Sequence, residues 1–336
     1  MPSAKKSRIV FYGLWPELHE YTRKLLRGYS CSLHSEKINA TNVDPKADII
    51  AVFIESPVTK EIITKMPQLK LIAAMSTGYD HIDLKAASQR KIIVANVPTY
   101  GENTVAEHTF ALILGLTRKL FESVKRVKEG SYDFHGLRGM DIKDKTLGVV
   151  GTGHIGAHVI RMAKGFDMQV LAYDIKPNAQ LAKTLGFTYA PLNQVLKKSD
   201  IVTLHTPLFK STYHLINKKN IKLMKQGSLL INTARGGLVE PEALLQSLKN
   251  NHLGGAGLDV LEDEGLLQNF EEVMSCDDNN CKLKTSLINN LIIDHPNTIV
   301  TPHNAFNSVE ALQRIIDVTV GNIKSFASGT VVNQVK

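Results

Sequence analysis

Residues 146–174 read TLGVVGTGHIGAHVIRMAKGFDMQVLAYD, and this stretch limits the fold more than any other. An apolar strand, Thr146–Val150, runs into Gly151-x-Gly153-x-x-Gly156; a helical stretch follows, then a second strand, Gln169–Tyr173, ending at Asp174. Such a βαβ unit holds a dinucleotide. Gly151 allows a tight turn off the strand, Gly153 removes a side chain where backbone must approach a pyrophosphate, and Gly156 lets helix and strand pack closely. The helix N-terminus then offers N–H groups and a positive dipole end to the phosphates. Asp174 stands 18 residues past Gly156. A carboxylate there can accept both adenosine-ribose hydroxyls and repels a 2′-phosphate, which favours NAD over NADP. His154 lies inside the loop, beside the cofactor or simply solvated.

Strands and helices alternate on both sides of this unit. Before it, Arg8–Tyr12, Ile49–Ile54, Leu69–Ala74 and Ile92–Ala95 are short β-rich runs, with helices expected over Glu17–Arg27, Thr59–Met66 and Leu84–Gln89. Asp83 is placed to cap the last of these. A long helix is expected over Thr104–Lys128, opened by a Thr104/Glu107 capping box. After the fingerprint come strands at Ile201–Leu204, Leu229–Ile231 and Gly255–Leu258, with helices near Lys218–Met224 and Pro241–Asn250. Residues 265–297 break the rhythm and read as an insertion with a short helix of its own. A final helix, Ser308–Ser328, closes the chain. The pattern predicts an α/β protein of two doubly wound parallel-sheet domains. A substrate domain over 1–101, completed by 306–336, receives a Rossmann domain over 102–305 as an insert. The active site is expected in the cleft between the two.

Bulk properties narrow the function. A chain of 336 residues suits two domains. No apolar run reaches membrane-spanning length, and the N-terminus lacks the apolar core of a secretory signal. Three cysteines argue against a disulfide framework and for the cytoplasm. Cys276 and Cys281 read as unpaired loop thiols, so no metal is expected. The net charge of +8 is scattered, which argues against a nucleic-acid face and suits anionic small ligands. Only Asn251–Cys281 departs from it, with eight acids and no Lys or Arg.

In a doubly wound sheet, ligands bind at the carboxyl ends of the strands. Three residues follow strand ends there: Arg235 in INTARGG, Glu264 in LDVLEDEG and His303 in VTPHNAF. Hydride exchange between NAD and a carbonyl needs a group to move the hydroxyl proton, and an imidazole such as His303 suits that task. Glu264 can hold the ring from behind. Arg235 has the fork that grips a carboxylate at two points and polarises an adjacent carbonyl.

The whole chain resembles the D-isomer-specific 2-hydroxyacid dehydrogenase family. The resemblance rests on MSTGYDHID at 75–83, NTVAEH at 103–108, the GTGHIG fingerprint, NTARGG at 232–237, and LDVLEDE with TPH. It implies a flavodoxin-like substrate domain. It makes Arg235 the binder of the substrate carboxylate and carbonyl, and His303 the acid/base paired with Glu264. The N–H groups of Thr77 and Gly78 would share the carboxylate. Thr104, His154, Ile155, Asp174, Pro207, Thr233 and Asp259 fall where the family contacts NAD. A homodimer joined through the NAD-binding domains and the long helix is implied as well. Tyr100, the insertion after Glu264 and His303-x-x-Phe306 resemble the D-lactate dehydrogenase branch, where aromatic groups close a small pocket; Asn304 and Asn307 depart from the commonest pattern. Pyruvate reduction to D-lactate is the leading expectation, with glyoxylate or hydroxypyruvate reduction the alternative. An NAD(H)-sensing corepressor-like binding protein is the alternative of another class.

Overall fold

The computed structural model describes residues 7–267 and 279–335. The chain divides into two compact units, Met1–Tyr100 with Ser308–Lys336, and Gly101–Asn307. In the first unit, β1 (Arg8–Tyr12), β2 (Ser30–Leu33), β3 (Ile49–Val52), β4 (Leu71–Ala74) and β5 (Ile93–Ala95) form a parallel sheet in the order β2-β1-β3-β4-β5. This is the flavodoxin-like order. Every residue of β3 and β4 is buried, as expected of parallel strands covered on both faces. The closing helix, Val309–Ala327, belongs to this unit and is capped by Ser308, whose hydroxyl accepts from Ala311 N. It is tied down by Asn322 Nδ2 donating to Asn96 O at 2.8 Å and Arg314 Nε donating to Tyr100 O at 2.6 Å.

The second unit carries β6 (Thr146–Val150), β7 (Gln169–Tyr173), β8 (Thr188–Tyr189), β9 (Ile201–Leu204), β10 (Ser228–Asn232), β11 (Leu253–Leu258) and β12 (Thr298–Val300). All pair in parallel, in the order β12-β11-β10-β9-β6-β7-β8. The strand order reverses between β6 and β9. That reversal opens the crevice in which a doubly wound sheet receives its ligand. Helices cover both faces of the sheet, burying Val150, Leu204, Leu230 and Leu258 in one cluster and Leu147, Val149, Val159 and Ile231 in another. Two doubly wound parallel-sheet α/β domains are therefore present, the fold class the alternation predicted.

Several local expectations need correction. The helix expected over Thr104–Lys128 is two helices, Glu102–Thr117 and Leu120–Lys128, separated at Lys119, which adopts a left-handed backbone with φ 48°. Met140 N donates to Thr117 O at 2.9 Å, so a distant segment satisfies a carbonyl at the helix end. The Thr104/Glu107 capping box does not form. Gly101 is the N-cap, Val105 N already donates to Gly101 O, and Thr104 is buried within the first turns. The helix near Lys218–Met224 shrinks to a 3-10 turn, Ile221–Leu223. Of the 265–297 stretch, residues 268–278 with Cys276 lie outside the described residues, as does the side chain of Cys281. The helix within that stretch, Asn279–Ile293, is longer than the short one expected.

Candidate active site

The glycine-rich turn has the shape a dinucleotide requires. Gly151 sits at φ +95°, where any side chain is strained, and an added Cβ would meet His205 O at 2.6 Å. At Gly156 the Cβ would lie 2.1 Å from Gly151 O, so only glycine lets the helix start that close to the strand. At Gly153, in contrast, a Cβ would meet nothing within 4 Å, which leaves an open approach to the backbone. The helix His154–Gly165 begins there, with His154 exposed and Ile155 half-buried, and presents its N-terminal N–H groups to that opening.

Asp174 closes the other side of the loop. Its Oδ2 accepts from Thr152 N at 2.7 Å and from Thr152 Oγ1 at 2.9 Å, and its Oδ1 accepts from Lys176 N at 2.9 Å. Partial burial pushes this carboxyl upward, but the hydrogen bonds outweigh it and hold the group below its ordinary range. Asp174 is thus anionic and fixed before any ligand arrives. These residues fit an NAD: an open backbone cradle for the pyrophosphate and a fixed anion at the ribose end. We expect kcat/KM for NADH to exceed that for NADPH by about 100-fold, since a 2′-phosphate would face a like charge at short range. Asp174→Ala should narrow the gap. Equal kcat/KM values for the two cofactors with the unaltered protein would refute the selective role of Asp174.

The three residues singled out at strand ends all belong to the second unit. Arg235 follows β10 and is half-buried. Its turn is clamped by the buried Asn232, which donates through Nδ2 to Arg235 O at 2.9 Å and accepts through Oδ1 from Ala234 N at 3.1 Å. The guanidinium donates to Ala234 O at 2.8 Å. His303 follows β12 with a left-handed backbone, φ 51°, and its N–H donates to Asp259 O at 2.9 Å. Its Nδ1 pairs with Glu264 Oε1, and Glu264 Oε2 in turn accepts from Leu261 N at 3.0 Å. The carboxylate therefore holds one ring nitrogen and is itself held by backbone. Nε2 is the nitrogen left to act on a substrate.

Asp259, expected to contact the cofactor, also has a structural part. It is buried, and its carboxylate accepts from Thr301 Oγ1 at 2.5 Å, Asn304 N at 3.0 Å and Ala305 N at 2.9 Å. It therefore builds the loop that carries His303. His108 Nε2 joins this network at 3.0 Å from Thr301 Oγ1. Sequence reasoning missed Asn232, His108 and Thr301 as supports, although all three lie inside the motifs NTARGG, NTVAEH and TPH.

His205 ends just after β9 and is a histidine the mechanism does not use. The residue is half-buried but its ring is desolvated, with Nδ1 buried, and this lowers its pKa to about 3, so it stays neutral at physiological pH and cannot serve as the acid. Its Nε2 lies 2.9 Å from Thr203 Oγ1. The other predicted contacts are scattered around the unit. Thr233 is buried with its hydroxyl 2.9 Å from Thr109 Oγ1, Pro207 is exposed and Phe306 half-buried. Thr77, Gly78 and Tyr100 belong to the first unit. There the Thr77 hydroxyl donates to Val97 O at 2.8 Å, Thr77 O accepts from Asn96 Nδ2 at 2.8 Å, and Gly78 O accepts from Ser76 Oγ at 2.6 Å. The bonds that shape this turn thus run through carbonyls and hydroxyls, not through the two N–H groups.

Comparison with known proteins agrees with this geometry. A family model described as D-isomer specific 2-hydroxyacid dehydrogenase, NAD binding domain, matches residues 110–305. A 2-hydroxyacid dehydrogenase homolog of Schizosaccharomyces pombe is 37% identical over 328 residues, 96% of each chain. A glyoxylate reductase of Korarchaeum cryptofilum is 35% identical over 288 residues, 84% of this chain and 81% of its own. Among solved structures, D-lactate dehydrogenase from Aquifex aeolicus, complexed with NAD and lactic acid, is similar with a TM-score of 0.82 and 36% identity over 96% of each chain. The strand order, the glycine cradle and these matches agree: the chain belongs to the D-isomer-specific 2-hydroxyacid dehydrogenase family and is an NAD-dependent oxidoreductase.

Proposed function

We propose that this enzyme reduces a small 2-keto acid to the D-2-hydroxy acid, with pyruvate to D-lactate as its principal reaction. The observation that carries the reading is the His303–Glu264 pair, carried after β12 and β11 of the same sheet whose strand β10 leads into Arg235. NAD supplies the hydride chemistry when bound. Arg235 grips the substrate carboxylate with its fork and polarises the keto oxygen. The His303 imidazolium donates its Nε2 proton to that oxygen as it gains charge, and Glu264 keeps the ring aimed and balances its charge. The family resemblance supports Thr77 and Gly78 as further backbone donors to the substrate carboxylate, and Tyr100 and Phe306 as further substrate contacts. Thr104, His154, Ile155, Pro207 and Thr233 would line the cofactor.

The likeness to a D-lactate dehydrogenase complexed with lactic acid supports pyruvate; the likeness to a glyoxylate reductase keeps glyoxylate or hydroxypyruvate as the second reading. The test is turnover with NADH across pyruvate, glyoxylate, hydroxypyruvate and bulkier 2-keto acids. Pyruvate should give the highest kcat/KM. A higher value for glyoxylate would replace the substrate assignment, and no turnover on any member would favour a dinucleotide-sensing binding protein.

We also infer a homodimer joined through the second unit, and place the enzyme in the cytoplasm on its low cysteine content. No residue of the helix Leu120–Lys128 is buried, and Leu120, Phe121, Val124 and Val127 stand exposed at helical spacing along it. Tyr132 and Phe134, a few residues further along the chain, are exposed as well, and clustered exposed apolar side chains mark interaction surfaces. Phe121→Asp with Val124→Asp should convert a dimer to a monomer in light scattering. An unchanged mass would remove this helix from the interface.

A further inference from the structure

A cavity of about 560 Å³ opens in the second unit between the 3-10 turn Ile221–Leu223, the helix Pro241–Lys249 and the helix Asn279–Ile293. Its size is that of a small-molecule site. Arg235, Glu264 and His303 do not line it. Among the described residues, Lys218, Lys222 and Lys284 do, together with the carboxylate of Glu242. Lys284 is paired with Glu242, and this contact holds the Glu242 carboxyl below its usual range. Among the described residues, the lining therefore carries more ammonium groups than carboxylates. Its wall between the lysines is apolar, with Ala243 and Ile288 contributing.

Two buried polar atoms of the lining are left over. Ser247 is only 7% exposed and its Oγ has no hydrogen-bond partner, and His252 Nε2 is buried and unpartnered as well. Folded proteins leave few such groups, because each costs roughly 1–3 kcal/mol when unsatisfied. A hydroxyl and an imidazole nitrogen beside three lysines make a donor set for an oxyanion.

We propose that this cavity is a second ligand site, built for an organic phosphate monoester with a small apolar body. The lysines take the dianionic head, Ser247 and His252 supply hydrogen bonds, and the apolar wall takes the body. A phosphate monoester carries close to two negative charges near neutral pH, which matches the excess of ammonium groups. The proposal is independent of which 2-keto acid the enzyme reduces.

Calorimetric titration of the NAD-saturated enzyme with phenyl phosphate tests it. Phenyl phosphate should bind at least about tenfold more tightly than either benzoate or inorganic phosphate, which present only one part of the required chemistry. Lys218→Ala with Lys222→Ala should weaken it by at least about tenfold; both side chains are exposed, so the fold tolerates their loss. Ser247→Ala should weaken it less, and Arg235→Ala should leave it unchanged. Absence of binding, benzoate binding as tightly as phenyl phosphate, or loss of binding in Arg235→Ala with none in the double lysine variant would overturn the assignment.

Discussion

Replacing His303 with alanine should lower kcat for keto-acid reduction by about 100- to 10,000-fold, the range that a positioned proton donor contributes. Binding of NADH and of substrate should change little, because neither depends on the ring. The size of the effect follows from how much structure is spent on this one side chain. Asp259 is buried and uses both carboxylate oxygens to hold the residues around His303, while Glu264 fixes the ring through Nδ1. The other histidine at a strand end, His205, cannot substitute, since burial keeps it neutral. Single-turnover oxidation of NADH, followed by absorbance, isolates the chemical step. A rate within tenfold of the unaltered enzyme would remove His303 from the role of acid.

Arg235→Ala should cost a comparable amount, read in kcat/KM. Two charge-assisted hydrogen bonds to a carboxylate contribute about 1.5–3 kcal/mol each, which together correspond to roughly 100- to 10,000-fold. The loss should appear in KM as well as in kcat, because in the proposed mechanism the fork would both bind the ground state and polarise the keto oxygen. Arg235→Lys should recover little, since an ammonium cannot reproduce the planar two-point grip. The fold should survive either change: Asn232 holds this turn through the backbone of Ala234 and Arg235, not through the guanidinium. A near-normal kcat/KM on pyruvate for Arg235→Ala would rule out the carboxylate role.

Elements whose information is local were legible in the sequence. Arg8–Tyr12, Thr146–Val150, Gln169–Tyr173 and Ile201–Leu204 stand as read, because each is a short β-rich run with its ends marked by loop residues or a glycine turn. Elements that depend on a distant partner were not. Ser30–Leu33 is half polar and becomes a strand only by pairing with β1 at the sheet edge. The break at Lys119 has no sequence signal; it coincides with Met140 returning to the carbonyl of Thr117. The capping-box pattern at Thr104 and Glu107 misled because the same spacing occurs inside a helix that begins at Glu102.

The candidate site divides along the same line. The dinucleotide unit and the residue types after each strand can be read from residue order alone, because strand ends in a parallel sheet converge on one edge and the glycine spacing encodes a backbone shape. Which groups support which depends on the folded arrangement. It placed Asp259 behind the His303 loop, buried His205 into neutrality, and assembled Lys218, Ser247, His252 and Lys284 from separate segments around one cavity. Burial and the pairing of polar groups are set by neighbours far apart in the chain, and neither is written in the order of residues along it.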